Sequence, residues 1–402
     1  MNAVGIDVSK GKSMVAVMRP FGEVVVSPFE VQHSESELNK LAKLLKSLNG
    51  ETRVVMESTG NYHIPVVQVL TDAELYVSVV NAILVHNYGN NSLRRTKTDK
   101  KDALKLANYA LDHWLSLPGY FSEEAVRQTL KSYYRQYEKY AKLRTVLKNN
   151  LISLLDQTFP EVNRLFSSSP RADGSEKWID FISYFWHCKC VCELTENMFT
   201  LRYQKWCKKH GYHFSKKKAQ DIYSFSSERI GVMPKVTASK VLVEQAVLQL
   251  QASSAALATL RQQMDEMAAS LPEYHIVMQM FGVGSILGAQ LMAEIGDVRR
   301  FHSKRALVAF AGIDAPPYQS GQMNIQSRSI SKRGSSSLRR TLFLVMSVIL
   351  KCSPVDEPVY QFMDKKRAEG KPYRVYMIAS SNKFLRIYYA RVKAHLELID
   401  AS

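Results

Sequence analysis

The sequence predicts an α/β domain followed by a mostly helical remainder, and three observations carry that prediction. Short apolar runs alternate with segments of helical spacing over residues 1–118. From Glu123 onward apolar residues recur at steps of three and four, the spacing of a long helix that has a partner. Nearer the C-terminus, Gly282 and Gly284 precede an apolar helical stretch, and a cationic segment follows it.

Residues 3–19 and 22–30 read as strands, joined at Pro20-Phe21-Gly22. Ser34 to Leu48 carries leucines at helical spacing and ends at Asn49-Gly50. A strand over 52–57, a helix near 63–72 and a strand over 75–80 follow. A polar loop from His86 to Thr98 then leads into a helix beginning at Asp99, with Thr98 as its cap.

The next segments read as a long helix over 119–160, a basic and aromatic insertion over 161–235, a second long helix over 236–271, and a C-terminal domain over 272–402. The first long helix has a seam through Val126, Leu130, Tyr133, Tyr137, Tyr140, Leu147, Leu151 and Leu154, with Arg144 at the missing position. The second has Val243, Val247, Leu250, Leu257, Leu260, Met264, Met267 and Leu271, with Ser254 as its polar member. The two helices pair within the chain or between chains as a coiled coil, or belong to an ordinary bundle. In the insertion, His187-Cys188-Lys189-Cys190-Val191-Cys192 with Cys207, His210 and His213 raises zinc, but alternating Cys-x-Cys-x-Cys fits zinc spacing poorly.

The 402 residues carry 54 Lys and Arg against 37 Asp and Glu, a net charge of +17, which points to a polyanionic partner. Five cysteines, an odd number, suit a reducing cytoplasm better than a disulfide framework. The start runs straight into a strand, so no signal peptide is expected, and the apolar run from Thr341 to Leu350 is too short for a membrane span.

Four carboxylates stand out against this basic background. Asp7 follows a strand, Glu57 ends another, and Asp99 and Asp102 lie three apart at a helix start, which puts them on one face. Singly, each suits a turn or a helix dipole. Together they are hard oxygen donors whose mutual repulsion a divalent cation relieves, Mg²⁺ or Mn²⁺ by preference. Two such ions about 3.5–4 Å apart activate a nucleophile and stabilise a leaving oxygen at phosphorus.

The C-terminal domain supplies phosphate-binding candidates. Gly282 and Gly284 before a helix expose N–H groups, in the manner of a helix-hairpin-helix. Between Ala315 and Val355 there is no acid, while Arg328, Lys332, Arg333, Arg339 and Arg340 are basic. Ser320-Gly321 follows Pro316-Pro317 inside this segment. Ser-Gly is ordinary turn chemistry, and a serine there needs an activating base or metal to attack a phosphodiester. Ser335, Ser336 and Ser337 are further hydroxyls, read as helix-start phosphate contacts.

These segments together resemble the DEDD transposases of bacterial insertion-sequence family one-ten and the related pilin-gene invertase. The matching pieces are GIDVSK, the end of the Glu57 strand, RRTKTDKKDA, the helix ending at Phe159-Pro160, MFGVGSILGAQLMAEIGDVRRF, QSG, ISKRGSSSLRR and GKPYRVYMIASSNKFLRIYYA. The gap is about 160–235. The resemblance implies a RuvC-like, ribonuclease-H-type N-terminal domain holding Mg²⁺ through Asp7, Glu57, Asp99 and Asp102. It also implies a C-terminal transposase domain with Ser320 as nucleophile. DNA would be the substrate and a bridge RNA the guide, in a homo-oligomer from dimer to tetramer whose subunits complete one another's sites. Arg94, Arg95 and Lys97, in the matching basic loop, join the expected nucleic-acid contacts. Two rival functions remain: a structure-selective, metal-dependent endonuclease using water, and a non-catalytic nucleic-acid-binding protein.

Overall fold

The structure is a computed structural model. It describes residues 1–58, 60–88, 98–121, 124–167, 171, 175–315, 318–320, 323–325 and 329–401. The chain divides into two compact units, Met1–Ser122 and Glu123–Ser402.

The first unit is built on a five-stranded sheet of order β3-β2-β1-β4-β5. β1 (Asn2–Ser9), β2 (Lys12–Arg19) and β3 (Glu23–Gln32) form an antiparallel meander, while β4 (Thr52–Glu57) and β5 (Tyr76–Val80) run parallel to β1. The run 3–19, read as one strand, is therefore a hairpin. Lys10-Gly11 forms its two-residue loop, and Gly11 takes the φ of +81° that such a turn requires.

The parallel strands need crossovers, and helices supply them. α1 (Glu35–Lys46) starts at Ser34, whose side chain caps Glu37 N, and joins the meander to β4. α2 (Ile64–Asp72) joins β4 to β5. Val4, Ile6 and Val8 alternate onto one face, where they pack with Leu38, Leu41 and Leu45 of α1 and Val66, Val67 and Leu70 of α2. After α3 (Ala82–Asn87), α4 (Asp99–Asp112) covers the other face, where Ala3 and Val55 meet Leu106, Tyr109 and Ala110.

The second unit is organised by α5 (Ala125–Thr158) and α10 (Thr237–Ala269), which pack on each other. Leu130 and Tyr134 near the start of α5 share a core with Met264 and Ala268 near the end of α10. Leu151 and Leu155 near the end of α5 share another with Val243, Val247 and Leu250. The two helices therefore run antiparallel, and their two seams meet within one chain. The α5 seam is partly displaced, since Tyr134 and Leu155 are buried while Val126 is 41% exposed.

Residues 161–235, unpatterned in sequence, form α6 (Lys177–Ile182), α7 (Lys189–Cys192), α8 (Glu196–Lys209) and α9 (Lys216–Ser227). Aromatic packing holds them together. Phe181 stacks on Phe185 at 4.8 Å and meets Trp206 edge-on at 5.7 Å, all buried against the ends of α5 and α10. The Cys/His run has a packing role here. His187 is fully buried, with Nε2 2.9 Å from Met233 O and Nδ1 accepting from Lys189 N at 3.0 Å. Both ring nitrogens are thus engaged within the fold.

The C-terminal part of this unit contains α11 (Tyr274–Met278), α12 (Ser285–Ile295), α13 (Lys304–Ala311), the hairpin β6 (Tyr318–Ser320) and β7 (Met323–Ile325), α14 (Ser336–Cys352), α15 (Pro358–Ala368) and α16 (Tyr373–Ala401). α12 is buried at every residue from Gly288 to Ile295, so it is the central helix of this core. The Thr341–Leu350 run lies in α14, and among the described residues no helix is long and apolar enough to cross a membrane.

Candidate active site and nucleic-acid interface

Strand alternation and register bring Asp7 and Glu57 together. Ile6 is paired with Met56 and Gly5 with Val55 in the parallel β1–β4 ladder. Side chains two apart share a face, so Asp7 lies on the side of Gly5, and Glu57 on the side of Val55. That is the side covered by α4. Both acids stand at the carboxyl ends of adjacent parallel strands, where open α/β sheets bind ligands.

The close approach of α4 to Gly5 fixes where the other two acids lie. A Cβ at Gly5 would stand 2.0 Å from Ala103 O and 2.4 Å from Ala107 N, so the helix backbone rests directly on the strand. One step back along β1, Ala3 packs with Leu106 and Ala110. The helix therefore runs antiparallel to β1, and its first turn, with Asp99 and Asp102, comes to the Asp7 end of the strand. Thr98 Oγ1 caps that turn at Lys101 N, 3.3 Å away. The charges at Lys12 agree with this placement. Its ammonium is held above its usual range first by the hydrogen bond to Glu30 (2.7 Å) and that carboxylate's charge, with Asp99 adding to both. Gly5 and Lys12 were not singled out in the sequence. A lone glycine inside an apolar strand is the signal of a close backbone approach.

Asp7, Glu57 and Asp102 are half-buried, and Asp99 is exposed. Among the described residues no group of three His, Cys, Asp or Glu side chains stands close enough to hold a metal ion. The four acids thus occupy one end of one sheet face without closing into a cage. As a donor set, four carboxylates with no nitrogen or sulfur suit a hard divalent cation.

Ser320 ends β6 and is paired with Met323 of β7, at the tip of a hairpin. Arg94, Arg95, Lys97 and Arg328 lie outside the described residues, as do Pro316, Pro317 and Gly321.

The other C-terminal candidates are placed. Gly282 has φ +81°, and a Cβ there would meet Ile349 Cγ1 at 2.8 Å, so this glycine lets α14 approach. Gly284, at the N-cap of α12, has open space around it. Asp265 of α10 is hydrogen-bonded to Ser285, and burial raises its carboxyl above the usual range. An acid of the chain already stands at this helix start.

Arg339 donates to the carbonyls of Ala311 (2.9 Å) and Gly334 (3.2 Å), while Lys332, Arg333 and Arg340 are exposed. Lys332 adopts φ +54° as its N–H reaches Gly312 O at 3.0 Å. The acids missing from the local sequence come from other helices. Ser335 donates to Glu294 (2.5 Å), Ser337 to Glu138 (2.6 Å), and Arg340 Nη1 lies 3.7 Å from Glu138. Ser335 also caps Leu338 N at 3.1 Å, whereas Ser336 is exposed. Arg135 of α5 bridges the two sets, bonding Ser337 Oγ at 2.8 Å and the fully buried Glu294 at 2.9 Å.

Two stretches of the chain match models of known families. Residues 4–160 match a family model of DEDD transposases of IS110 elements, described as "Transposase". Residues 274–361 match the model described as "Transposase IS116/IS110/IS902 family". The chain is 23% identical over 341 residues to the pilin gene-inverting protein of Moraxella bovis, covering 85% of this chain and 80% of that protein. The protein of the same description from Moraxella lacunata matches equally, also at 23% over 341 residues. An uncharacterized 42 kDa protein of insertion element IS900 from Mycobacterium paratuberculosis is 30% identical over 121 residues, 30% of this chain and 29% of that protein. With residues 4–160 and 274–361 both matched to transposase models of one group of insertion elements, the protein belongs to the IS110 family and is a DNA transposase/recombinase.

Proposed function

We propose that the protein cuts and rejoins DNA through a serine-linked intermediate, with Asp7, Glu57, Asp99 and Asp102 as ligands for Mg²⁺ or Mn²⁺ and Ser320 as nucleophile. The observation that carries the reading is the shared face of Asp7 and Glu57 with the first turn of α4 laid across it. The strand order β3-β2-β1-β4-β5, an antiparallel meander extended by parallel strands, supports a RuvC-like, ribonuclease-H-type nuclease unit.

When bound, a hard cation at these acids neutralises charge building up at the scissile phosphate. The chain's own residues carry the covalent step. Ser320 Oγ bonds to phosphorus as the bridging P–O bond of the strand breaks, and the serine proton ends on the departing sugar oxygen. Attack by a free sugar hydroxyl reverses the step, reseals a strand and restores the serine. The exposed Lys332, Arg333 and Arg340 hold flanking phosphates. A bridge RNA supplies sequence choice by base pairing, and a homo-oligomer brings the carboxylates of one subunit to the serine of another.

The test is a denaturing gel of purified protein with labelled element ends and Mg²⁺. The unsubstituted protein leaves a covalent protein–DNA adduct, and Ser320→Ala leaves none. An adduct that persists in Ser320→Ala would falsify the serine assignment. Nicks with no adduct in either protein would point to water as the nucleophile.

A further inference from the structure

The insertion between the two long helices carries concentrated positive charge with few acids beside it. From Asn197 to Gln220 there are seven Lys and Arg residues, Arg202 among them, and no acid. Lys208 and Lys209 end α8, where cations favour the helix dipole. Lys216, Lys217 and Lys218 begin α9, at the positive end, where the same dipole opposes them. Folding brings further cations to this corner. Arg171 lies 4.1 Å over the ring of Tyr212, Lys177 lies 4.9 Å from the same ring and 5.4 Å from Phe166, and Lys218 is 5.6 Å from Phe166. The Lys177 ammonium is pushed below its usual range, first by burial and then by Lys218 and Arg171, with Cys207 opposing. Among the described residues none of these lysines forms an ion pair.

We propose that this corner, the end of α8 and the start of α9, is a docking surface for the phosphate backbone of duplex DNA flanking the site of strand exchange. Asp180 accepts from the Tyr212 hydroxyl at 2.5 Å, and the remaining excess of cations is relieved by a polyanion. The aromatic faces beneath are taken by the protein's own cations, so they offer no stacking platform for unpaired bases. Lysine ammoniums on flexible stems read charge and carry no base-specific geometry. The segment lies between the two stretches matched by the transposase family models, 4–160 and 274–361.

The proposal rests on the chain's action on DNA, and its test separates the two. Lys208, Lys209, Lys216 and Lys217 lie at the surface of the corner. They are replaced together by Gln in the full chain, and binding to a duplex containing an element end is measured across a salt series. The expected result is at least a tenfold weaker Kd at 0.15 M salt and a shallower salt slope, by about 0.9 for each phosphate no longer neutralised. Arg at the four positions restores both, and the melting temperature stays that of the parent. Control substitutions Lys40→Gln, Lys43→Gln and Lys46→Gln in α1 leave Kd nearly unchanged. An unchanged slope, an equal loss in the α1 control, or a loss confined to structured RNA overturns the proposal. Intact duplex binding without covalent adducts counts against the catalytic reading alone.

Discussion

Arg144 Nε donates to Ser254 Oγ at 2.9 Å, so the polar members of the two long seams meet each other. The guanidinium also donates to Glu176 Oε1 at 2.6 Å, and Lys148 reaches Glu176 Oε2 at 2.7 Å. A polar pair at one level of an apolar seam fixes the alignment of two helices, because any slip separates it.

Glu176→Gln should destabilise the second unit by about 1.5–3 kcal/mol, the range for hydrogen bonds to charged groups. Burial raises the Glu176 carboxyl, but hydrogen bonds from Lys148 and Trp178 and the charges of Lys148 and Arg144 outweigh it, and its pKa is lowered. A depressed carboxyl contributes stability that is present above its unfolded pKa of about 4.3 and lost as pH falls through the folded value. Urea unfolding at pH 7 and pH 3 checks this: the difference between the two proteins should shrink at the lower pH.

Arg127 and Glu273 form a two-pronged pair with side chains 1% and 0% exposed, one prong Nη2 to Oε2 at 2.9 Å. Arg127→Ala strands a buried carboxylate and should cost about 3–5 kcal/mol. The double change Arg127→Met with Glu273→Leu should recover most of that loss in equilibrium denaturation. A double variant no more stable than Arg127→Ala would show that the pair does not act as a unit.

Gly5→Ala should separate folding from activity. Its Cβ would overlap Ala103 O, so α4 must move and carry Asp99 and Asp102 with it. A displacement near 1 Å at reacting groups lowers rate by about 100-fold. Strand cleavage measured beside a thermal melt is the check, with cleavage lost out of proportion to any fall in Tm.

Asp7→Asn replaces a proposed anionic ligand with a neutral amide and should abolish Mg²⁺-dependent cleavage. Chelation with EDTA should do the same to the parent protein, and duplex binding by gel shift should survive both. Cleavage by Asp7→Asn at the parent rate would remove that acid from the site.

Much of this was legible in the sequence because local rules and global fold agree. Thr98 reads as a cap and is one, and alternation puts Asp7 and Glu57 on one face, although Asp7 lies inside β1 and does not follow it. The Lys10-Gly11 turn was hidden because the polar stretch from Ser9 to Ser13 is short and lies between two apolar runs, and the glycine at positive φ marks the reversal. The insertion gave no period because its helices are short and held by rings scattered through the segment, such as Phe166, Phe181 and Trp206. Nor does a linear reading of the cationic segment after Ala315 reveal its counter-charges, since Glu138 and Glu294 arrive from α5 and α12 through tertiary packing.

The antiparallel pairing of α5 with α10 makes the second unit a ruler. α5 has 34 residues and α10 has 33, which at about 1.5 Å per residue sets roughly 50 Å between the ends. One hydrophobic cluster sits at each end, and the polar rung of Arg144 and Ser254 lies between them. Removing seven residues from each helix on the same side of that rung keeps every facing side chain in phase and shortens the span by about 10 Å. Removing them from one helix alone rotates nothing but leaves the rungs unmatched. The spacing between the insertion and the C-terminal core is therefore adjustable in steps of two helical turns, and evolution or design must change both strands of the ladder at once.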